Sequence, residues 1–200
     1  MARPRRPGLW DRVRRLLGRS YLSLLGWRVE GELPSDPKLV IVAAPHTSYW
    51  DFPHMIGFGF AEGIYVSVLM KASLFWGPLG VLLRAMGGVP VERSQAHGLV
   101  ESTVRALDKT DEFMLVIAPE GTRGRGEYWK SGFYHVARGA GVPIALGFLD
   151  YGRRTIGCGP VFWPTGDVES DMVQLQAFYS DRKGKYPDGQ TPPRLRLEEE

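Results

Sequence analysis

The sequence predicts an α/β domain whose sheet is mainly parallel and flanked by helices. Short, continuously apolar runs at 39–44 and 113–118 are typical of strands buried inside a parallel sheet. Helix-like segments alternate with such runs from residue 38 onward, as the connections of parallel strands require. The chain has 200 residues, 44% of them hydrophobic and 24% charged, so we expect a single domain with a substantial core.

Five strands are predicted in the body of this domain, at 39–44, 64–69, 89–91, 113–118 and 142–147. Two further segments are candidate edge strands, at 155–156 and 161–163. Helices are predicted at 9–25, 48–61, 94–109, 131–140 and 168–181. Because such sheets bind ligands beyond the carboxyl ends of their strands, we expect the chemistry on the loops that follow the strands.

Residues 1–30 form a basic N-terminal arm. Residues 1–20 hold seven Arg and one Asp, a surplus of six positive charges against +3 for the whole chain. On a helical wheel, one face is apolar and collects Leu9, Trp10, Val13, Leu16, Leu17, Tyr21 and Leu24, and another collects Arg12, Arg15 and Arg19. This pattern predicts a helix in contact with an anionic membrane surface. The alternative is a surface helix that covers the core.

The remaining boundaries follow from composition. Residues 31–185 are predicted to form the α/β domain, and 186–200 a flexible tail, because this end is rich in Pro and Gly and closes with three Glu. No stretch of 18 consecutive apolar residues occurs, so no ordinary transmembrane helix is expected.

The sequence gives no signal for a metal, a cofactor or nucleic acid. Cys158 is the only cysteine, and the four histidines do not form a helical metal-binding pair. Glu62 occupies the third glycine position of a dinucleotide motif that begins at Gly57. The body of the chain also lacks the interleaved aromatic and basic residues of a nucleic-acid platform.

The loop after the first predicted strand contains His46 and Asp51. From the start of the next helix, the Asp51 carboxylate can reach one ring nitrogen of His46 and make the other nitrogen more basic. This is the base half of a catalytic triad, without the nucleophile. The alternative is that Asp51 only caps its helix, as part of a Ser48-x-x-Asp51 capping box.

A second candidate loop follows the strongest predicted strand and reads Pro119-Glu120-Gly121-Thr122-Arg123-Gly124-Arg125-Gly126. Its glycines let the backbone approach a ligand closely, and arginine binds phosphate through two hydrogen bonds. Glu120 is expected to hold an arginine or to take part in substrate binding. The alternative is an ordinary glycine-rich surface loop with solvated arginines.

Together these motifs resemble a known family. His46-x4-Asp51, 88–93, Pro119-Glu120-Gly121-Thr122-Arg123 and Val142-Pro143-Ile144 stand in the order of the four motifs of the glycerolipid acyltransferases. The chain resembles the bacterial 1-acylglycerol-3-phosphate acyltransferase type, and 71–78 is similar to the family's segment between its first two motifs. The resemblance implies transfer of a fatty acyl group from acyl-CoA or acyl-carrier protein to the hydroxyl of a lysophospholipid, foremost 1-acylglycerol-3-phosphate.

The resemblance also implies roles for individual residues. His46 is the catalytic base that takes the proton of the acceptor hydroxyl, and Asp51 orients it. A thioester is already activated, so no metal or cofactor is needed beyond the donor itself. Arg123 is the first candidate to anchor the phosphate of the acceptor, and the other candidates are Arg93, Lys71, Glu120, Gly121 and Thr122.

We therefore expect a peripheral enzyme on the cytoplasmic face of the cell membrane, where lysophospholipid and anionic lipid are at hand. The apolar segment 55–86 is either a groove for the acyl chain or plain core. Two alternatives remain from the sequence: a non-catalytic module that binds anionic lipid, and a hydrolase of lipids or thioesters that uses water as the acceptor.

Overall fold

A seven-stranded sheet organises the part of the chain that the structure describes. This structure is a computed structural model, and it describes residues 8–91, 100–101, 103–105 and 111–196. The strands are β1 (Arg28–Glu30), β2 (Lys38–Ala44), β3 (Val66–Lys71), β4 (Gly88–Val91), β5 (Phe113–Ile117), β6 (Ile144–Asp150) and β7 (Thr155–Phe162). Their order across the sheet is β1-β7-β6-β2-β5-β3-β4.

The described helices are α1 (Leu9–Leu24), α2 (Asp51–Glu62), α3 (Gly77–Ala85), α4 (Gly132–Ala140) and α5 (Val168–Tyr179). Short 3-10 turns cover Ala72–Leu74 and Pro187–Gly189. Residues 100–101 and 103–105 are helical and fall within the predicted helix 94–109, whose other residues lie outside the described ranges. None of the helices in these ranges has the length and hydropathy needed to cross a membrane.

Parallel pairing dominates the sheet. β2 runs parallel to both β5 and β6, and β3 runs parallel to both β4 and β5. β7 is antiparallel to β6, and β1 joins the far side of β7. The prediction of an α/β domain with a mainly parallel sheet is confirmed. The carboxyl ends of β2, β3, β5 and β6 consequently share one edge, which is where the motif loops begin.

β2 is buried on both of its faces. Val40 and Val42 pack with α4 and α5 on one side, whereas Leu39 and Ile41 pack on the side of α2. These four side chains are at most 5% exposed. The uninterrupted apolar run that predicted this strand therefore reflects a central position between two layers of helices.

Three strands, β1, β6 and β7, differ most from the prediction. β6 extends to Asp150, three residues beyond its predicted end, and β7 is one continuous strand between β1 and β6 where two edge segments were expected. In the middle of β7, a Cβ at Gly157 would lie 1.7 Å from the carbonyl oxygen of Glu30. Gly157 thus marks the close approach of β1, a strand that the sequence did not predict.

α3 was also missed, because its first residues include Gly77, Pro78 and Gly80. Proline within the first turn of a helix is favourable, since no N–H is needed there.

The segment 55–86 is divided between the core and the surface of the domain. Its core part lines a cavity of only about 30 Å³, which has room for a water molecule and not for an acyl chain.

α1 packs directly against α2 instead of standing apart as an arm. The contact face of α1 consists of Arg14, Gly18 and Leu22. A Cβ at Gly18 would lie 2.3 Å from the backbone nitrogen of Ala61, so only glycine allows this close crossing. The apolar face that the helical wheel identified therefore points away from the core, with Leu9, Trp10, Leu16, Leu17 and Leu24 between 56% and 86% exposed.

The C-terminal segment, residues 186–196, packs against the body of the domain, where the sequence predicted a flexible tail. Thr191 and Leu195 are both buried, and Leu195 pairs with Trp129 in an isolated β-bridge. The indole Nε1–H of Trp129 donates to the carbonyl oxygen of Thr191 at 3.0 Å. The prolines of this segment suggested a flexible chain. Instead, its backbone is extended, and its apolar side chain Leu195 packs against the core.

Candidate active site

His46 and Asp51 form a hydrogen-bonded pair at the carboxyl end of β2. The Nδ1 atom of His46 lies 3.0 Å from Oδ2 of Asp51. The Asp51 side chain is 5% exposed, whereas that of His46 is 22% exposed. Because Nδ1 faces the carboxylate, the neutral imidazole carries its proton there, and Nε2 becomes the basic nitrogen.

Asp51 also binds the backbone at the start of α2. The backbone N–H of Ser48 donates to Oδ2 of Asp51 at 3.0 Å, and the helix begins at Asp51 instead of residue 48. The predicted capping box does not form, because the N-cap of α2 is Trp50 and it has no side-chain cap hydrogen bond. One side chain fixes the loop and the imidazole at the same time.

The second oxygen of Asp51 has a partner that sequence reasoning missed. The hydroxyl of Tyr151 donates to Oδ1 of Asp51 at 2.7 Å. Tyr151 directly follows β6, so it lies at the same edge of the sheet as the end of β2. Burial, with the Asp51 carboxylate adding to it, raises the pKa of Tyr151 far above its usual value, so the hydroxyl keeps its proton.

Glu120 connects three segments of the chain through the two oxygens of its carboxylate. Its Oε1 accepts the backbone N–H of His46 at 2.5 Å, and its Oε2 accepts that of Thr191 at 3.0 Å. The residue is 3% exposed, and burial raises the pKa of Glu120 although both hydrogen bonds oppose the rise. Glu120 was predicted among the phosphate ligands, but both of its oxygens accept backbone N–H groups, and a carboxylate repels phosphate.

Arg123 lies over the loop that carries His46. Its guanidinium carbon is 3.7 Å from the ring centroid of Tyr49, which is 77% exposed. Arginine stacked in this way keeps its N–H donors in the plane of the guanidinium for an anion. The structure thus brings the His46 and Arg123 loops together on one side of the molecule.

The other predicted phosphate ligands lie on the Glu120 loop, at the end of β3 or outside the described residues. Thr122 is exposed, and its Oγ1 accepts the N–H of Gly124 at 3.4 Å. Gly121 has a φ of +69°, a left-handed conformation that glycine adopts without strain. Lys71 is exposed at the carboxyl end of β3, on the same edge of the sheet, and Arg93 lies outside the described residues.

The C-terminal segment holds both loops. The N–H of Tyr186 donates to Oγ1 of Thr47 at 3.1 Å, beside His46. Thr191 contacts the second loop twice, through Glu120 and through its Oγ1, which accepts the N–H of Gly126 at 2.9 Å. No spacing in the sequence linked 186–196 to the motifs, because these contacts use backbone groups.

A cleft of about 390 Å³ adjoins the Glu120 loop. Its lining includes Glu120, Thr122, Trp129, Lys130, Ser131 and Arg196. His46 and Asp51 do not line this cleft, although Glu120, which does, accepts the backbone N–H of His46. Within the described ranges, no group of three or more His, Cys, Asp or Glu side chains could hold a metal ion.

Comparison with known proteins fixes the family. The sequence profile described as Acyltransferase matches residues 27–145, a range that contains His46, Asp51 and the Glu120 loop. The chain belongs to the acyltransferase family. The prediction of an acyltransferase enzyme is thereby confirmed, and the His46–Asp51 pair lies inside the matched region.

One solved structure extends the comparison to the fold of this acyltransferase. The 1-acyl-sn-glycerophosphate (LPA) acyltransferase PlsC from Thermotoga maritima superposes with a TM-score of 0.57 at 19% sequence identity. The match covers 82% of this chain and 74% of the PlsC chain. No curated protein sequence matches the chain significantly.

Proposed function

We propose that this acyltransferase moves a fatty acyl group from an acyl-CoA or acyl-carrier protein thioester to the hydroxyl of a lysophospholipid, 1-acylglycerol-3-phosphate first among them. One observation carries the proposal: the His46–Asp51 pair and the Arg123 guanidinium meet at adjoining loops. PlsC of Thermotoga maritima, which shares the fold, is named for action on 1-acyl-sn-glycerophosphate.

The chemistry follows from the basic Nε2 of His46. As the acceptor oxygen attacks the thioester carbonyl carbon, Nε2 takes its proton, and Asp51 stabilises the imidazolium that forms. The intermediate then collapses, expels the thiolate and returns the proton to sulfur. General base catalysis of this kind contributes about 10² to 10⁴ in rate.

Arg123 supplies the positioning that a weakly nucleophilic hydroxyl needs. A guanidinium that binds the phosphate of the acceptor holds the nearby hydroxyl within about 3–3.5 Å of the carbonyl carbon. Lys71 adds a second cation from the same sheet edge. Water needs no such anchor, which favours transfer to a phospholipid over hydrolysis.

The exposed apolar face of α1 supports membrane contact. Trp10, Leu16 and Leu17 point away from the core, and the exposed Arg12 and Arg19 lie on the same helix. Trp and Leu partition into the interface while Arg attracts anionic headgroups, so the occupant that fits this face is a lipid bilayer. A peripheral position on the cytoplasmic face of the cell membrane, next to lysophospholipid, is part of the proposal.

The test follows products by mass. Purified protein is given an acyl thioester with lysophosphatidic acid or with monoacylglycerol, which lacks the phosphate. Arg123→Ala should raise the KM for lysophosphatidic acid at least about tenfold, because a charged hydrogen bond is lost, and should leave monoacylglycerol unaffected. Arg138→Ala, on the exposed side of α4, is the matched control.

Three outcomes contradict the proposal. Free fatty acid as the sole product identifies a hydrolase. Lipid binding by wild-type protein with no product identifies a binding module. An unchanged KM in Arg123→Ala removes that side chain from acceptor recognition.

A further inference from the structure

We propose that Tyr151 is a positioning residue of the catalytic pair, which it serves by holding Asp51 in the orientation that keeps the Nδ1 tautomer of His46. The inference rests on the proposed role of His46 as the base. Tyr151 lies outside the sequence motifs, and its hydroxyl is 2.7 Å from Oδ1 of Asp51.

The carboxylate of Asp51 divides its contacts between its two oxygens. Oδ2 receives the N–H of Ser48 and faces Nδ1 of His46, both at 3.0 Å, whereas Oδ1 receives the hydroxyl of Tyr151. Asp51 is 4% exposed, so water does not readily replace a missing donor. Without the hydroxyl of Tyr151, Oδ1 of Asp51 lacks a hydrogen-bond donor. The carboxylate then becomes more stable if it rotates Oδ1 toward another donor, and this rotation moves Oδ2 away from the imidazole of His46.

The protein fixes Tyr151 independently of Asp51. The backbone N–H of Tyr151 donates to the carbonyl oxygen of Lys183 at 2.8 Å. Its ring meets Trp27 edge to face, with centroids 4.9 Å apart and planes at 85°. The ring of His54 lies beside Trp27, 4.7 Å from it and 5.9 Å from the ring of Tyr151. The backbone hydrogen bond and this aromatic cluster together bring the hydroxyl of Tyr151 to a defined point, as a positioning group must.

The hydroxyl of Tyr151 is a donor to Asp51. Burial and the neighbouring carboxylate raise the pKa of Tyr151 far above its usual value, against a hydrogen bond with Ser48 that lowers it, so the hydroxyl keeps its proton near neutral pH. It therefore neither takes the substrate proton nor touches the reacting atoms. Its contribution reaches the chemistry through Asp51 alone.

The experiment removes this one hydroxyl and keeps the ring. Tyr151→Phe retains the packing on Trp27 and deletes the hydrogen bond to Asp51. Tyr134→Phe is the matched control, because the hydroxyl of Tyr134 donates to Oδ2 of Asp171 at the same 2.7 Å, in the core and away from the pair. Both variants lose one buried Tyr–Asp hydrogen bond, and Tyr134→Phe also frees the backbone N–H of Gly166, so a general loss of stability affects the control at least as much.

Two readouts separate positioning from structure. The first is steady-state kinetics with acyl-CoA and lysophosphatidic acid, in which Tyr151→Phe should lower kcat roughly tenfold and leave both KM values unchanged. The second is ¹⁵N NMR of the His46 imidazole without substrate, assigned with a His46→Ala sample. Here the fraction of the Nδ1-protonated tautomer should fall in Tyr151→Phe and stay at its wild-type value in Tyr134→Phe.

Wild-type kcat and a wild-type tautomer fraction in Tyr151→Phe overturn the inference. Equal losses in the two variants overturn it as well, because they indicate a stability effect. Wild-type protein without any acyl transfer overturns the proposed function instead, and the NMR comparison still decides whether Tyr151 controls the tautomer.

Discussion

At the residue scale, two buried carboxylates organise the site by different means. Asp51 acts on a side chain, through the Nδ1 atom of His46. Glu120 acts on the backbone, since it accepts N–H groups from His46 and Thr191 with one oxygen each. A carboxylate suits the second task because it has acceptors on both oxygens and no donor. The Glu of this motif thus builds the site, while Arg123 faces outward from it.

Glu120→Gln tests this role. Glutamine offers one acceptor oxygen, and its NH2 group would oppose the second backbone N–H, so one buried donor is left unpaired. We expect the free energy of unfolding to fall by about 1–3 kcal/mol, together with a loss of kcat. Urea unfolding and steady-state rates measure the two effects.

Glu127→Gln is the control for this substitution. Glu127 lies in the same loop region and also borders the cleft, but it is exposed. Glu127→Gln should change neither the free energy of unfolding nor kcat. Equal stability of the Glu120 and Glu127 variants would contradict the bridging role of Glu120.

At the element scale, α1 explains how an amphipathic helix joins a domain and keeps its apolar face free. The face of α1 that packs on α2 is narrow and centres on Gly18. At Gly18 the backbones of the two helices are in direct contact. Arg14 on this face is buried, with its guanidinium 3.9 Å from the ring centroid of Tyr65. Arg14 and Gly18 therefore face inward beside Leu22, whereas Trp10 and the other leucines of α1 that the helical wheel identified face outward, so most of the apolar face lies on the solvent side.

Trp10→Gln tests the membrane role of this face. Trp10 is 69% exposed, and burial of its ring in the lipid interface would stabilise the bound state by more than about 1.4 kcal/mol. Affinity for vesicles that contain phosphatidylglycerol should therefore fall at least about tenfold, as measured by vesicle sedimentation.

The control is a second exposed tryptophan on another element. Trp163 follows β7 and is 60% exposed, so Trp163→Gln removes a similar area of apolar surface. It should bind vesicles as wild type does. Equal losses in the two tryptophan variants would argue against α1 as the membrane-facing element.

The helices and strands also show which parts of the fold could be predicted from the sequence. The strands at 39–44 and 113–118 were predictable because both faces are buried, so their apolar runs are continuous. β6 was predicted to end at 147, three residues short of its true end, and this hid Tyr151 from the set of loop residues at the sheet edge. The contacts of Thr191 were not predictable, since hydrogen bonds to backbone N–H leave no residue pattern.

At the scale of the whole molecule, the parallel sheet is what assembles the site. β2, β5 and β6 are adjacent, so their carboxyl ends bring together His46, Glu120 and Tyr151 from distant parts of the chain. The C-terminal segment then contacts the first two loops from outside. The order of the motifs along the chain was sufficient to predict the base and its partner, because the topology places their loop at the edge where parallel sheets bind ligands.

The most direct measurement is the rate at which phosphatidic acid forms from acyl-CoA and lysophosphatidic acid in wild type and His46→Ala. His135→Ala serves as the control, because His135 is exposed on α4. The account predicts a loss of at least about 10² in kcat for His46→Ala, with normal folding and vesicle binding, and no loss for His135→Ala. Phosphatidic acid formation by His46→Ala at the wild-type rate would contradict it.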